Sequence, residues 1–151
     1  MNDKKILKII GEVGSIHDGS FGNALKAIDS LASCGVSAVK FQTHIASAET
    51  IKDAPNPPYF KGENRYDYFK RTSFSTNQWS QIKEHCESKN VEFVSSPFSL
   101  EAVDLLEKIG VSSFKIPSGE ITNLPLLERV ASSGKPVILS SGMSDWKELD
   151  T

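Results

Sequence analysis

Three features of this 151-residue chain predict an α/β fold built from right-handed parallel βαβ units. Short β-branched runs alternate strictly with stretches of helical period, each strand is nearly continuously apolar, and each ends in polar residues. Five such strands fit either a doubly wound open sheet or the first part of a (β/α)8 barrel, and in both architectures function gathers at the carboxyl ends of the strands. A complete barrel needs roughly 200 to 250 residues. A barrel reading is therefore a partial one of about five units, with the chain stopping just inside the fifth helix as a truncation would.

The first strand is expected over residues 6–10, Ile6-Leu7-Lys8-Ile9-Ile10, running through Gly11-Glu12-Val13-Gly14 so that its end delivers Glu12. Residues 15–19 form a turn. From Phe21, the residues Ala24, Leu25, Ile28, Leu31 and Ala32 recur at helical spacing, with Ser20 as N-cap and Gly35 as stop. Residues 37–42 make the second strand, in which Lys40 and Gln42 share a face by alternation. The segment 43–75 holds Pro55, Pro57, Pro58 and Gly62 without a sustained period, yet is rich in aromatics such as Tyr59, Phe60 and Phe69. It is expected to be an insertion loop, either packed in order or serving as a lid.

Ser75 and Gln78 form a capping box for a helix through Trp79, Ile82 and Cys86. The third strand covers 91–97, and Ser99 caps a helix carrying Val103, Leu105 and Leu106. The fourth strand opens Ser113-Phe114-Lys115-Ile116, where Phe114 and Ile116 face one side and Lys115 the other; Pro117 limits further pairing and Ser118-Gly119-Glu120 turns the chain. Leu126, Leu127, Val130 and Ala131 mark the next helix, residues 136–140 the fifth strand, and Ser144 the cap of a last helix.

Charged residues are 24% of the chain, the net charge is −2 and the pI about 5.9, so no global basic field invites nucleic acid or anionic lipid. Cys34 and Cys86 lack metal-ligand spacing and are expected as small core residues of a reducing compartment. No apolar run approaches the roughly 20 residues of a membrane span. The polar start Met1-Asn2-Asp3-Lys4-Lys5 leads into a strand rather than a signal-peptide core, so the expected location is cytoplasmic.

The topology places Glu12, Lys40, Gln42, Ser96, Lys115, Ser118, Glu120 and Ser140 on one rim. An ammonium in an apolar strand needs an anionic partner or loses its proton, so two of them beside hydroxyls point to an anion site. Plainer roles stand beside this one. The lysines could serve structural ion pairs, Glu12 could simply pair with Lys40, Glu120 could cap a helix, and the serines could satisfy strand ends. His17 is either a site residue or a turn residue; His44 and His85 are expected to be surface or packing histidines. No G-x-G-x-x-G or P-loop follows the first strand, which disfavours nucleotide binding.

Five stretches together are more specific: Ile10-Gly11-Glu12-Val13-Gly14, Ala38-Val39-Lys40-Phe41-Gln42-Thr43, Ser95-Ser96-Pro97-Phe98, the run from Phe114 through Lys115-Ile116-Pro117-Ser118-Gly119-Glu120-Ile121-Thr122-Asn123-Leu124-Pro125-Leu126-Leu127, and Gly134-Lys135-Pro136-Val137-Ile138-Leu139-Ser140-Ser141-Gly142-Met143. They closely resemble the sialic acid synthase family. The resemblance implies a TIM barrel that condenses phosphoenolpyruvate with N-acetylmannosamine, its 6-phosphate or a related amino-sugar aldehyde, giving a nine-carbon 2-keto acid and phosphate. It further implies that Lys40 and Lys115 clamp phosphoenolpyruvate, that Ser96, Ser118 and Ser140 donate to it, that Gln42 orients it, and that Glu12 and Glu120 act as acid-base or water-positioning carboxylates.

A divalent ion, Mn2+ or Mg2+, is implied as Lewis acid, with histidine ligands on later strands that lie outside this chain. A C-terminal antifreeze-like domain, also outside it, and a homodimer in the full-length context belong to the same expectation, so these 151 residues alone are expected to be inactive. The family's Asn-His-Asn-Gly after the first strand reads Ile16-His17-Asp18-Gly19 here. Two alternatives remain: a Schiff-base aldolase with Lys115 as nucleophile, and a non-catalytic partial barrel that buries its edge strands against another chain.

Overall fold

β-Branched and aromatic residues at alternating positions, punctuated by capped helices, build the predicted alternation. The computed structural model describes residues 7–58 and 60–150; Met1 to Ile6, Tyr59 and Thr151 lie outside the described residues. In chain order the elements are β1 (Ile10–Gly14), α1 (Phe21–Ser33), β2 (Ala38–Thr43), α2 (Ala46–Glu49), α3 (Arg65–Thr72), α4 (Thr76–Ser88), β3 (Glu92–Pro97), α5 (Leu100–Lys108), β4 (Phe114–Ile116), a 3-10 turn (Ser118–Glu120), α6 (Leu124–Ala131), β5 (Val137–Leu139) and α7 (Trp146–Leu149). The strands form one parallel sheet in sequential order, β1-β2-β3-β4-β5.

Sequential order with every crossover in the same sense is the barrel arrangement rather than the doubly wound one, in which the strand order reverses. One face of the sheet carries Val13, Val39, Phe41, Phe93, Phe114 and Ile116, which pack with Ile28, Trp79, Ile82, Leu106 and Leu126 of the covering helices into the core. Trp79 meets Phe41 and Phe74 edge-on at 5.8 and 5.2 Å between ring centroids. By alternation, Glu12, Lys40, Gln42, Val94, Ser96 and Lys115 project from the opposite face.

The helices begin where hydroxyl and carboxamide side chains satisfy their free N–H groups: Ser20 for α1, Ser75 with Gln78 for α4, Ser99 for α5 and Asn123 for α6. For α7 the cap is Asp145, which accepts from Lys147 and Glu148, and not the expected Ser144. Cys86 is buried, and burial pushes its thiol up to about 12. Cys34 is a correction: it sits exposed at the C-cap of α1, because the helical stripe ends at Ala32. The strand β5 also departs from expectation, its three residues being exposed because it pairs with β4 while no described helix covers it.

The largest difference lies in residues 43–75, expected as a loop and found to hold α2 and α3. Neither is long enough for its period to emerge from sequence. Tertiary contacts secure them: Glu49 of α2 pairs with His44, Phe69 and Thr72 of α3 are buried, and the Arg71 guanidinium reaches Asp18 at 2.7 Å and also pairs with Glu63. This docks α3 on the turn after β1, where Gly19 adopts φ +80°. A Cβ on Gly19 would lie 2.6 Å from the Arg71 carbonyl oxygen. Gly19→Ala therefore imposes both a left-handed backbone and a clash, and is expected to lower unfolding free energy by about 2 kcal/mol; urea unfolding measures it, and unchanged stability would contradict this packing.

Candidate active site

Strand register brings the predicted residues into two rows on the face away from the core. Glu12 pairs with Lys40, and Lys40 with Val94; two residues further on, Gln42 pairs with Ser96. Ser95 pairs with Phe114 and Lys115 with Ile138, so Lys115 stands level with Ser96 one position beyond that pairing. Ser140 follows at the end of β5, its N–H donating to the Ile116 carbonyl, and Ser118 begins the turn after β4. Glu12, Lys40, Gln42, Ser96 and Lys115 thus share one surface near the carboxyl ends of the strands.

Their electrostatics reflect that convergence. Lys40 forms an ion pair with Glu12, so the plainer role proposed for Glu12 is realised in this state. Burial pushes the Lys115 ammonium below the usual lysine value; the Lys40 charge pushes the same way and Glu12 opposes it. The Ser96 hydroxyl is buried and has no hydrogen-bond partner among the described residues. By contrast its neighbour Ser95, on the core face, is satisfied by Thr43 at 2.7 Å. Two ammonium groups and an unsatisfied buried hydroxyl fit an anion with several acceptor oxygens.

Glu120 is positioned differently. Its carboxylate accepts from Asn123 Nδ2 at 2.8 Å, while Asn123 Oδ1 caps α6 at Leu126, so Asn123 rather than Glu120 is the cap. Glu120 opens onto a cleft of about 440 Å3 with Glu49, Arg65, Phe98 and Asn123. The neighbouring cleft, about 420 Å3, holds Ser15, Gln42, His44, Phe60, Tyr68 and Phe69. Arg65 and Phe98 line both, so the two adjoin.

Sequence alone does not single out Ser15, Glu49, Arg65 and Phe98 as cleft residues; His44, expected as a surface or packing histidine, is buried between Phe69 and Phe98. Alternation beyond β2 would have placed His44 on the Gln42 face; its partner Glu49 was hidden in an unrecognised helix. His17 turns into the core, its ring 4.5 Å from that of Phe74 and its Nδ1 accepting from the Gly19 N–H at 3.1 Å. Burial holds the His17 imidazole below its ordinary value; Asp18 opposes this and His44 adds to it. His85 pairs with Asp29 on the surface.

No group of three or more His, Cys, Asp or Glu that could hold a metal ion occurs among the described residues. Glu12 is already paired with Lys40 and Glu120 faces the other cleft, so these carboxylates do not fit a divalent ion. No helix among the described residues is long and apolar enough to cross a membrane.

Fold and site together define five β/α units of a TIM-barrel fold, with basic and hydroxyl groups gathered at the carboxyl ends of the strands. Residues 27–151 match the NeuB family, and the chain belongs to it. It is 38% identical over 152 aligned residues to an N,N'-diacetyllegionaminic acid synthase of Campylobacter jejuni, covering 97% of this chain and 45% of that protein. It is 30% identical to the N-acetylneuraminate-9-phosphate synthase of Homo sapiens, covering 89% and 39% respectively.

The crystal structure of a sialic acid synthetase from Leptospira borgpetersenii superposes with a TM-score of 0.81 at 31% identity, covering 99% of this chain and 52% of that one. A 3-deoxy-D-arabino-heptulosonate 7-phosphate synthase from Thermotoga maritima, at 12% identity and a TM-score of 0.64, shares the fold. The chain spans about half or less of the length of the relatives it matches.

The coupling of the two lysines predicts a titration. Lys115 should lose its proton below the ordinary lysine range, Lys40→Met should move that midpoint up, and Glu12→Gln should move it down; side-chain NMR of Lys115 reads all three. Because the folded chain holds this proton less tightly than the unfolded one, charged Lys115 costs stability below its depressed pKa. That cost disappears as pH rises to the usual lysine value of about 10.4. A midpoint indifferent to both substitutions would mean that the three groups do not share a site.

Proposed function

We propose that this chain carries the phosphoenolpyruvate-binding part of a synthase that condenses phosphoenolpyruvate with N-acetylmannosamine, its 6-phosphate or a related amino-sugar aldehyde. The observation that carries the reading is the Lys40–Lys115 pair, set on one face beside the buried Ser96 hydroxyl, which has no partner among the described residues. Membership of the NeuB family supports it, as do relatives named as synthases of N-acetylneuraminate 9-phosphate, legionaminic and pseudaminic acids.

In this reading Lys40 exchanges Glu12 for the ligand's carboxylate or phosphate, and the anion removes the penalty under which Lys115 holds its charge. Ser96 donates to the same anion; Ser118 and Ser140, at the ends of the neighbouring β/α units, extend the hydroxyl ring, and Gln42 orients the ligand. The C3 carbon of the enol attacks the aldehyde carbon, the carbonyl electrons go to its oxygen, and that oxygen takes a proton. Water adds at C2 and loses one proton; the C2–O bond to phosphate then breaks as the C2 hydroxyl gives its remaining proton to the departing phosphate, leaving the 2-keto acid. Glu12, freed from Lys40, accepts the proton of the water. Glu120, in the adjoining cleft with Arg65 and Asn123, faces the sugar.

The resemblance implies a divalent ion for the aldehyde; the residues present do not make its site, and no step is assigned to it. A cytoplasmic location and a homodimer accompany the proposal.

Titration calorimetry with phosphoenolpyruvate tests the reading. Wild-type chain should bind it, with proton uptake at alkaline pH as Lys115 recovers its charge, and Lys115→Met or Lys40→Met should each weaken binding by about 30-fold or more. Retained affinity in both variants, with the fold intact, would overturn it.

The lowered Lys115 pKa also suits a Schiff-base aldolase. Borohydride with pyruvate should leave the mass of the chain unchanged, whereas a covalent adduct on Lys115 would move the assignment to the aldolase.

A further inference from the structure

The two adjoining clefts differ in chemistry. One is bordered by Glu49, Glu101 and Glu120, the other by the rings of Phe60, Tyr68 and Phe69. Phe98 and Arg65 stand at their junction, and Arg65 is the one lysine or arginine bordering either cleft among the described residues. Its guanidinium carbon lies 5.3 Å from the Phe69 ring centroid. Setting Glu49 aside as the partner of His44, at 2.9 Å, Glu101 and Glu120 still outnumber Arg65, so the walls of the first cleft are net negative at neutral pH.

The proposed function leaves the charge of the acceptor open. N-acetylmannosamine is uncharged, whereas its 6-phosphate brings about −1.5 to −2. Lys40 and Lys115 border neither cleft, and on the phosphoenolpyruvate reading both are engaged by that ligand. A second phosphate set against Glu101 and Glu120 would meet like charge with Arg65 alone to offset it, and juxtaposed like charges are costly. Sugar hydroxyls, by contrast, donate to carboxylates, and such charge-assisted bonds are among the stronger ones. The Glu120 carboxylate is already oriented by Asn123 Nδ2, which donates to it at 2.8 Å.

The aromatic cleft suits a different group. Tyr68 meets Phe60 edge-on with centroids 5.2 Å apart and Phe69 at 5.4 Å, and no carboxylate borders this cleft among the described residues. Rings around a recess of this kind favour a small apolar substituent such as an acyl methyl. We propose that the paired clefts take an acceptor without a phosphate: an uncharged N-acylated amino-sugar aldehyde, its hydroxyls toward Glu101 and Glu120, its acyl methyl among the Phe69 and Phe98 rings, and Arg65 donating to the acyl oxygen. That the sugar is an acceptor rests on the phosphoenolpyruvate reading; the preference for an uncharged sugar rests on the cleft walls alone.

NMR titration of the isotope-labelled full chain tests this with two probes, N-acetylmannosamine and its 6-phosphate, each with and without phosphoenolpyruvate. N-acetylmannosamine should bind, with NOEs from its acetyl methyl to the Phe69 and Phe98 ring protons, and the 6-phosphate should bind at least about tenfold more weakly. Added salt should narrow that gap, since screening weakens repulsion between solvent-facing charges. Glu101→Lys, which exchanges a repelling wall charge for an attracting one, should narrow it as well.

A 6-phosphate that binds as tightly as the parent sugar, a gap indifferent to both salt and Glu101→Lys, or an acetyl methyl without contacts to the two rings would overturn the proposal. So would a chain that takes up phosphoenolpyruvate but neither sugar, and the anion reading would then stand without it. A chain that shows the expected sugar preference while failing to bind phosphoenolpyruvate would support the cleft assignment and count against the anion reading.

Discussion

Two ammonium groups held on one face of a parallel sheet are the constraint on which this structure turns. Like charges in a partly desolvated cleft repel, and nothing in the packing of β2 or β4 requires a lysine at either position. Glu12 relieves part of the conflict by pairing with Lys40, and Lys115 bears the rest as a lowered affinity for its proton. A site of this kind is poised for an anion, because binding one satisfies both cations and the Ser96 hydroxyl at once.

The segment between β2 and α4 then has a clear physical role. Its two helices bring Glu49, Arg65 and Phe69 over the ends of the strands, so that Gln42 and His44 lie beneath a lining of aromatic rings. Arg71 fastens this segment to the turn after β1, and Gly19 lets the two backbones approach. A loop that merely covered the sheet would need none of these contacts. The buried His44–Glu49 pair ties this segment to the residue that follows β2.

Much of the architecture was legible in the sequence because it follows from local chemistry. The caps Ser20, Ser75 and Ser99 lie where hydroxyl residues precede apolar periods, and alternation around Lys40 and Lys115 was enough to place both ammoniums on one face. What stayed hidden depends on contacts distant in sequence. The helices α2 and α3 are too short to announce themselves, and the exposure of Cys34 and of β5 depends on what packs beside them. Glu120 was placed on the shared rim by topology alone; the side-chain bond from Asn123 is what fixes it beside the adjoining cleft. His44, expected as a surface or packing histidine, packs between Phe69 and Phe98.

The most direct measurement is a crystal structure of the chain grown with phosphoenolpyruvate. The account predicts ligand density with its carboxylate and phosphate between the Lys40 and Lys115 ammoniums, the Ser96 hydroxyl donating to it and Glu12 displaced from Lys40. Density elsewhere on the molecule, with Lys40 still paired to Glu12 and Ser96 still without a partner, would contradict it.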